Sequence, residues 1–432
     1  MYTMKTSSFK IKHLTVALLC ALAVPAAQAT DFFTQDSLTG DWGGARSDLV
    51  KSGVTLTGDY VSETAGILNG GQSYGTRYAQ QIRLGATFDL NRLLDAENAG
   101  TIQLTINDRR GRSTSGDLVG NRLPIQEVYG GEYTRLSEFS YTNTLFTPQL
   151  QYKLGLLAMG NDFGGLSILT NFMNAGFCAH PLSMSGGSGW GNYPNAHLGG
   201  ELKYTFNDSW ALQTAVFNVN PQQNSESSRA WKPFAPGTTG YIVPVELIYN
   251  FHSELPGQYK LGYYFDSSNV ARIDQPNRRS NNRWGAYLLA DQTIWQSDAL
   301  RSQNLHIFGQ ATTTDKATST FSHWYSAGFV LNGPFAARPN DAIAIGYGRA
   351  VYNSHSRENA VESLRAKGEL ADADLVGGLD IGEQLVEMTY TLQATPWLSV
   401  RPSVQYIKEP GAFYNKDIKD TWVAGVQVKV KF

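Results

Sequence analysis

Charged side chains of both signs recur in segments whose alternate residues are apolar. Arg83, for example, stands between Ile82 and Leu84. Other segments carry charges in the same phase: Arg109, Glu138, Glu201, Lys203 and Glu246. Such a surface offers hydrogen-bond donors and acceptors together but little net field. It favours contact with a neutral, hydroxyl-rich solute, although ion pairs that only stiffen the wall are the alternative for any single residue.

The segment 161–196 combines glycine and serine with aromatic residues, among them Trp190 and Tyr193. Aromatic rings can cover the apolar C–H patches of a sugar, whose hydroxyls need polar partners. A loop of this length in a compact protein is usually functional or mobile. It either folds inward and narrows a lumen or stays outside as a solvated loop, and the sequence leaves both open.

Signals for catalysis are weak. The glycine-rich run 185–191 lacks the Gly-Lys-Ser/Thr ending of a phosphate-binding loop. The seven histidines show no His-x-x-x-His spacing. We therefore expect no catalytic residues, no metal and no cofactor, with an outer-membrane enzyme or adhesin as the less favoured alternative.

The last segment of the chain, 421–432, has one unbroken apolar face. That face consists of Trp422, Ala424, Val426, Val428, Val430 and Phe432. A strand that is apolar on one side and polar on the other lies between lipid and water, and only a closed barrel leaves no open edge in lipid. We expect this strand, which ends on Phe432, to be the contact for the outer-membrane assembly machinery.

Alternating segments of about ten residues, the length of a tilted membrane strand, follow Gly53. The predicted strands are 54–67, 77–90, 100–110, 133–144, 150–160, 197–206, 209–219, 241–251, 258–268, 284–295, 303–313, 322–332, 341–351, 383–393, 397–408 and 421–432. Most links after odd strands are long and most links after even strands are short, which is typical of outer-membrane barrels. The sequence predicts an all-β, 16-stranded antiparallel transmembrane β-barrel of the porin type, with both termini on one side.

The N-terminus reads as an export signal. Lys5, Lys10 and Lys12 precede a short apolar run, and Ala27-Gln28-Ala29 fits a cleavage site. We predict a signal peptide at 1–29, a periplasmic segment at 30–52 and the barrel at 53–432. The net charge of −2 includes those lysines, so the remaining chain is more acidic still, which argues against a nucleic-acid partner. One cysteine, Cys178, then remains, and it cannot form an internal disulfide.

Several motifs resemble the carbohydrate-selective porin (OprB) family. They are Leu38-Thr39-Gly40-Asp41-Trp42-Gly43-Gly44-Ala45-Arg46, Asn107-Asp108-Arg109-Arg110-Gly111-Arg112, Ile125-Gln126-Glu127-Val128-Tyr129-Gly130, Leu255-Pro256-Gly257-Gln258-Tyr259 and Trp397-Leu398-Ser399-Val400-Arg401-Pro402. The resemblance implies a lumenal arginine at Arg109 and an aromatic constriction residue at Trp190. Relatives often carry two cysteines in the long loop, whereas this chain has Cys178 alone.

The resemblance implies an outer-membrane porin that passes glucose and related monosaccharides passively into the periplasm. A non-selective diffusion porin is the alternative within the same class. Besides the transported sugars, the partners expected are outer-membrane lipid and the assembly machinery. The predicted pore lining is Arg83, Asp108, Arg109, Glu138, Trp190, Tyr193, Glu201, Lys203 and Glu246.

Overall fold

The structure is a computed structural model that describes residues 29–177, 181–223, 225 and 229–432. Residues 1–28, which hold nearly all of the predicted signal peptide, and Cys178 lie outside the described residues. Within the described ranges, none of the helices has the length and apolar character required to cross a membrane.

Sixteen antiparallel strands form one closed barrel. They are β1 Val54–Asn69, β2 Thr76–Asp89, β3 Thr101–Gly111, β4 Tyr133–Leu145, β5 Thr147–Leu157, β6 His197–Thr205, β7 Trp210–Val219, β8 Gly240–Phe251, β9 Gly257–Asp266, β10 Arg283–Gln296, β11 Asn304–Thr314, β12 Phe321–Asn332, β13 Ala342–Tyr352, β14 Gly382–Thr395, β15 Leu398–Lys408 and β16 Thr421–Lys431. Each strand pairs with its neighbours in the chain, and β1 closes the ring by pairing with β16, Asp59 opposite Lys431. The predicted fold class is confirmed.

The alternating pattern separates two faces of the wall. Exposed apolar side chains such as Leu84, Leu261, Leu288 and Phe329 occupy the outer face, where lipid replaces water as the solvent. The opposite phase is buried and largely polar, and it includes Glu63, Asn107, Glu246, Asp266, Glu387 and Gln405. The greater part of the barrel's polar chemistry therefore faces inward.

The hydrophobic core lies inside the barrel and not between two layers. Apolar residues of the β5–β6 loop, residues 158–196, pack against inward residues of the far wall. Phe172 stacks on Phe177 with ring centroids 4.4 Å apart, and both rings contact Phe308 of β11. This core fixes the loop inside the lumen, which resolves the choice that the sequence left open for it.

The helices lie in the N-terminal segment and in the connections between strands. They are α1 Ala29–Thr34, α2 Ala45–Ser52, α3 Leu90–Leu94, α4 Leu182–Gly187, α5 Ser354–Ala366 and α6 Leu370–Gly378; of these, α4 belongs to the inward loop. The N-terminal segment lies at the end of the barrel that carries the short turns. There the Trp397 indole donates to the carbonyl oxygen of Phe32 at 2.9 Å, and the Leu38 N–H donates to that of Lys431 at 2.8 Å.

Arg357 holds the α5–α6 pair, at the long-loop end of the barrel, together. Its guanidinium donates to the side-chain oxygen of Asn415 and to the carbonyl oxygens of Val376, Leu379, Asp380 and Ala412. Burial lowers the pKa of Arg357 from its usual value, but five accepting oxygens surround the group. One side chain therefore ties two loops to α5.

We expect Arg357→Lys to loosen this region without unfolding the barrel, because an ammonium offers three donors and cannot reach the same oxygens. Limited trypsin digestion of the reconstituted protein should cut within 353–381 several-fold faster than in the wild type. The matched control is Arg365→Lys, an exposed arginine of the same helix. Equal digestion of both variants would contradict the assigned role.

Candidate solute pathway

Buried carboxylates of the wall bind the loop between β3 and β4, residues 112–132. The Glu383 carboxylate on β14 accepts the backbone N–H groups of Arg122 and Leu123, each at 2.9 Å. On β1, the Glu63 carboxylate accepts the N–H of Val128 at 3.2 Å and the Gln427 amide at 2.7 Å. The β3–β4 loop is therefore held inside the barrel from two sides.

The β5–β6 loop is held in the same manner. The Glu387 carboxylate on β14 accepts the N–H groups of Met173 and Asn174, each at 3.0 Å. The Glu246 carboxylate on β8 accepts the N–H of Gly164 at 2.7 Å. Asp266 on β9 accepts the N–H of Gly189 at 2.6 Å. Charge-assisted bonds of this kind are stronger than neutral ones, so the two loops have fixed positions across the lumen.

The two loops and the inner faces of β1, β2 and β3 enclose a cavity of about 420 Å³, which we call the aperture. Its charged residues are Asp59, Arg83, Arg109, Glu127 and Lys429, and Tyr129, Asn192 and Tyr193 add further polar groups. Cationic and anionic groups thus face one narrow space, which offers both hydrogen-bond donors and acceptors to a passing solute.

The polar groups of the aperture are positioned by their neighbours. Arg83 forms an ion pair with Asp59, its Nε donating at 2.7 Å. Arg109 donates from Nε to the Gln81 side-chain oxygen at 2.9 Å. The Tyr193 hydroxyl accepts from the Asn107 amide at 2.9 Å. Three predicted pore residues, Arg83, Arg109 and Tyr193, are therefore brought together here.

Glu138, Glu201 and Lys203 lie on the inner wall farther round the barrel. Lys153 bridges Glu138 at 3.1 Å and Asp162 at 2.9 Å, and the strand register places it opposite Glu201. Glu201 and Lys203 line a second cavity, which adjoins the aperture at Asn161.

Glu246 and Trp190 are placed differently from the prediction. The Glu246 side chain is 0 % exposed. Its carboxylate accepts hydrogen bonds from the Gly164 N–H, the Gln213 amide and the Tyr287 hydroxyl. Trp190 is 4 % exposed, with its ring edge-on to those of Tyr264 and Tyr287. Both residues support the inward loop and turn their side chains toward protein, because the loop fills the space that an open lumen would have left to solute.

Asp108 lies on the face of β3 opposite to Asn107 and Arg109. Its carboxylate accepts from Arg110 at 2.6 Å and from the Thr134 hydroxyl at 2.5 Å. The strand alternation that places Arg109 inward must place Asp108 outward. The structure therefore does not bring Asp108 to the aperture, and its predicted lumenal position is corrected.

Asp59, Glu127 and Lys429 are aperture residues that were missing from the predicted set. Glu127 stands within one of the motifs that carried the family resemblance, and Lys429 lies on the polar face of the C-terminal strand. The inward position of Asp59 was harder to predict from the sequence. Ser62 and Thr64 interrupt the apolar face of β1, so the alternation of apolar and polar residues is less regular there.

Comparison with known proteins identifies the family of this chain. The carbohydrate-selective porin, OprB, family matches residues 73–432. The chain belongs to this family. It is 32 % identical to Porin B of Pseudomonas aeruginosa, and the similarity covers 97 % of both chains. It is 29 % identical to the putative porin QuiX of Acinetobacter baylyi, over 98 % of this chain and 100 % of that one.

A solved structure shows the same architecture. The high-pH structure of Pseudomonas putida OprB superposes with a TM-score of 0.85 at 30 % identity, covering 92 % of this chain and 99 % of that one. Family, relatives and fold together make the protein a sugar-selective porin of the outer membrane. It is a channel, and the aperture lies between its inward loops.

Proposed function

We propose that this porin conducts neutral monosaccharides, glucose among them, through the aperture, and that Arg83 and Arg109 select them there. The observation that carries the proposal is the joint presence of guanidinium, ammonium, carboxylate and amide groups around one cavity of about 420 Å³. A neutral sugar leaving bulk water can exchange its water hydrogen bonds for these groups without crossing a large net potential. Flow is passive, since weak contacts let the solute enter and leave down its gradient.

Arg109→Met tests the role of the aperture donors, because methionine keeps an unbranched side chain and removes the guanidinium. Loss of one charged hydrogen bond in the aperture should slow glucose entry by about tenfold. The measurement is the initial swelling rate of liposomes that contain the variant, with its melting temperature in detergent as the measure of stability.

Arg110→Met is the matched control, because Arg110 neighbours Arg109 on β3 but pairs with Asp108 on the outer face. Glucose entry should stay at the wild-type rate in this control. Equal glucose rates in both methionine variants would overturn the role of Arg109. Equal wild-type rates for glucose and for charged solutes of equal size would instead indicate a general diffusion porin.

We also infer that residues 30–52 are periplasmic after removal of residues 1–29, and that β16 and Phe432 are recognised by the assembly machinery. Support comes from the packing of Phe32 and Leu38 at the short-turn end, which faces the periplasm in outer-membrane barrels. N-terminal sequencing of the exported protein should begin at Thr30. Deletion of Phe432 should reduce insertion into the membrane.

A further inference from the structure

A second polar cavity, which we call the inner chamber, adjoins the aperture. It measures about 310 Å³ and lies against the inner faces of β5 to β9. Asn161 of the β5–β6 loop lines both cavities, and Asn207 and Asp208 of the β6–β7 turn line the chamber alone. Because that turn belongs to the short-turn end, the chamber extends toward that end of the barrel.

Most charges of the inner chamber are already paired. The Lys153 ammonium lies 2.9 Å from an Asp162 oxygen and 3.1 Å from a Glu138 oxygen. The Lys260 ammonium lies 3.6 Å from a Glu246 oxygen. These groups hold the wall and the loop, so they offer little to a solute.

Lys203 differs from these paired groups. Within the part of the chain that the structure describes, Lys203 has no carboxylate within ion-pair distance. Its neighbour Glu201 also lines the cavity, although its Oε1 atom is buried and its carboxyl group interacts with Asp162 and Lys153. The two residues stand two positions apart on β6, so both side chains point to the same face and line the same cavity. The chamber thus presents an unpaired cation and a carboxyl group side by side.

An ammonium without a carboxylate partner keeps its donors for a solute hydroxyl, and a carboxyl group on the same face can accept from a second hydroxyl. The amides of Asn161, Gln151 and Gln258 provide further donors and acceptors around the same space. The aperture's rings, Tyr129 and Tyr193, do not line the chamber, and the inward ring that does, Phe163, is 1 % exposed, so recognition depends more on hydroxyls than on stacking against C–H faces.

We propose that the inner chamber is a second solute subsite, in which Glu201 and Lys203 bind a hydroxyl-rich solute of monosaccharide size after it leaves the aperture. The inference rests on the proposed function, since it assigns a second binding site to the permeating sugar. Conduction through successive weak sites lets each solute leave without one deep binding step. A sugar carrying a carboxylate would interact with the same pair in opposite senses, attracted by Lys203 and repelled by Glu201.

The test uses single channels of the mature protein in planar bilayers, with glucose and gluconate as probes. The quantity measured is the solute concentration that halves the potassium conductance. In Glu201→Gln this concentration should rise several-fold for glucose and fall for gluconate. In Lys203→Gln it should rise for both, by about tenfold for gluconate, as expected for loss of a hydrogen bond to a charged group.

Lys232→Gln and Glu362→Gln are the matched controls, because they make the same charge changes at exposed positions of the outer loops. Their half-blocking concentrations should equal those of the wild type. The opposite response of the two probes in Glu201→Gln separates binding from a general loss of structure, which would move both in one direction. Unchanged values in both β6 variants would overturn the subsite alone, whereas a wild-type channel indifferent to glucose would overturn the proposed function as well.

Discussion

Replacement of Glu387 by alanine is expected to widen the pore and to admit larger solutes. The Glu387 carboxylate is fully buried and accepts the N–H groups of Met173 and Asn174, together with the Ser403 hydroxyl at 2.7 Å. Its removal leaves two backbone donors inside the barrel without acceptors, at a cost of about 1–3 kcal/mol each. The β5–β6 loop should therefore leave this position and uncover the aperture.

Liposome swelling measures the result directly. Glucose and sucrose should enter at similar rates through Glu387→Ala, whereas we expect the wild type to favour glucose, and the single-channel conductance should rise several-fold. Glu387→Gln keeps one accepting oxygen and should give an intermediate ratio. Glu362→Ala, a carboxylate removed from an exposed helix position, should behave as the wild type. Sucrose exclusion retained in Glu387→Ala would show that the apolar packing holds the loop without this carboxylate.

The buried carboxylates that bind the two inward loops explain why the inward charges could be predicted but their roles could not. Strand alternation alone places Glu246 and Glu387 inside the barrel. Whether such a carboxylate meets solute or loop backbone depends on where residues far away in sequence come to lie, as Gly164 does for Glu246. Glu246 was therefore assigned to the pore lining, although it holds the loop that forms the pore.

The aromatic residues of the lumen show the same limit. Trp190 and Tyr193 stand close together in a glycine-rich loop, and sequence offers no ground to separate them. In the structure, Tyr193 lines the aperture, where its hydroxyl accepts a hydrogen bond from the Asn107 amide. Trp190 is instead buried against Tyr264 and Tyr287. Local pattern predicts the strands because each strand satisfies its own alternation, whereas the loop depends on an apolar core assembled from many strands.

Leu288→Arg should prevent stable insertion of the barrel. Leu288 lies on the outer face of β10, 53 % exposed, and its pairing partner Leu261 on β9 is 57 % exposed. Arginine at such a position would place a guanidinium in hydrocarbon, which costs about 2–4 kcal/mol near the bilayer midplane. That loss should appear as a lower denaturant midpoint for folding into lipid vesicles and as little protein in the outer membrane.

The control for this substitution is Leu300→Arg, since Leu300 lies in the short turn between β10 and β11 and is 38 % exposed. The same side chain is then introduced outside the hydrocarbon region, so folding should remain close to that of the wild type. The pair isolates the contact with lipid from the intrinsic cost of arginine. Equal folding of the two variants would mean that the apolar outer face does not contact acyl chains, and the assignment of inner and outer faces, on which every pore residue depends, would have to be reversed.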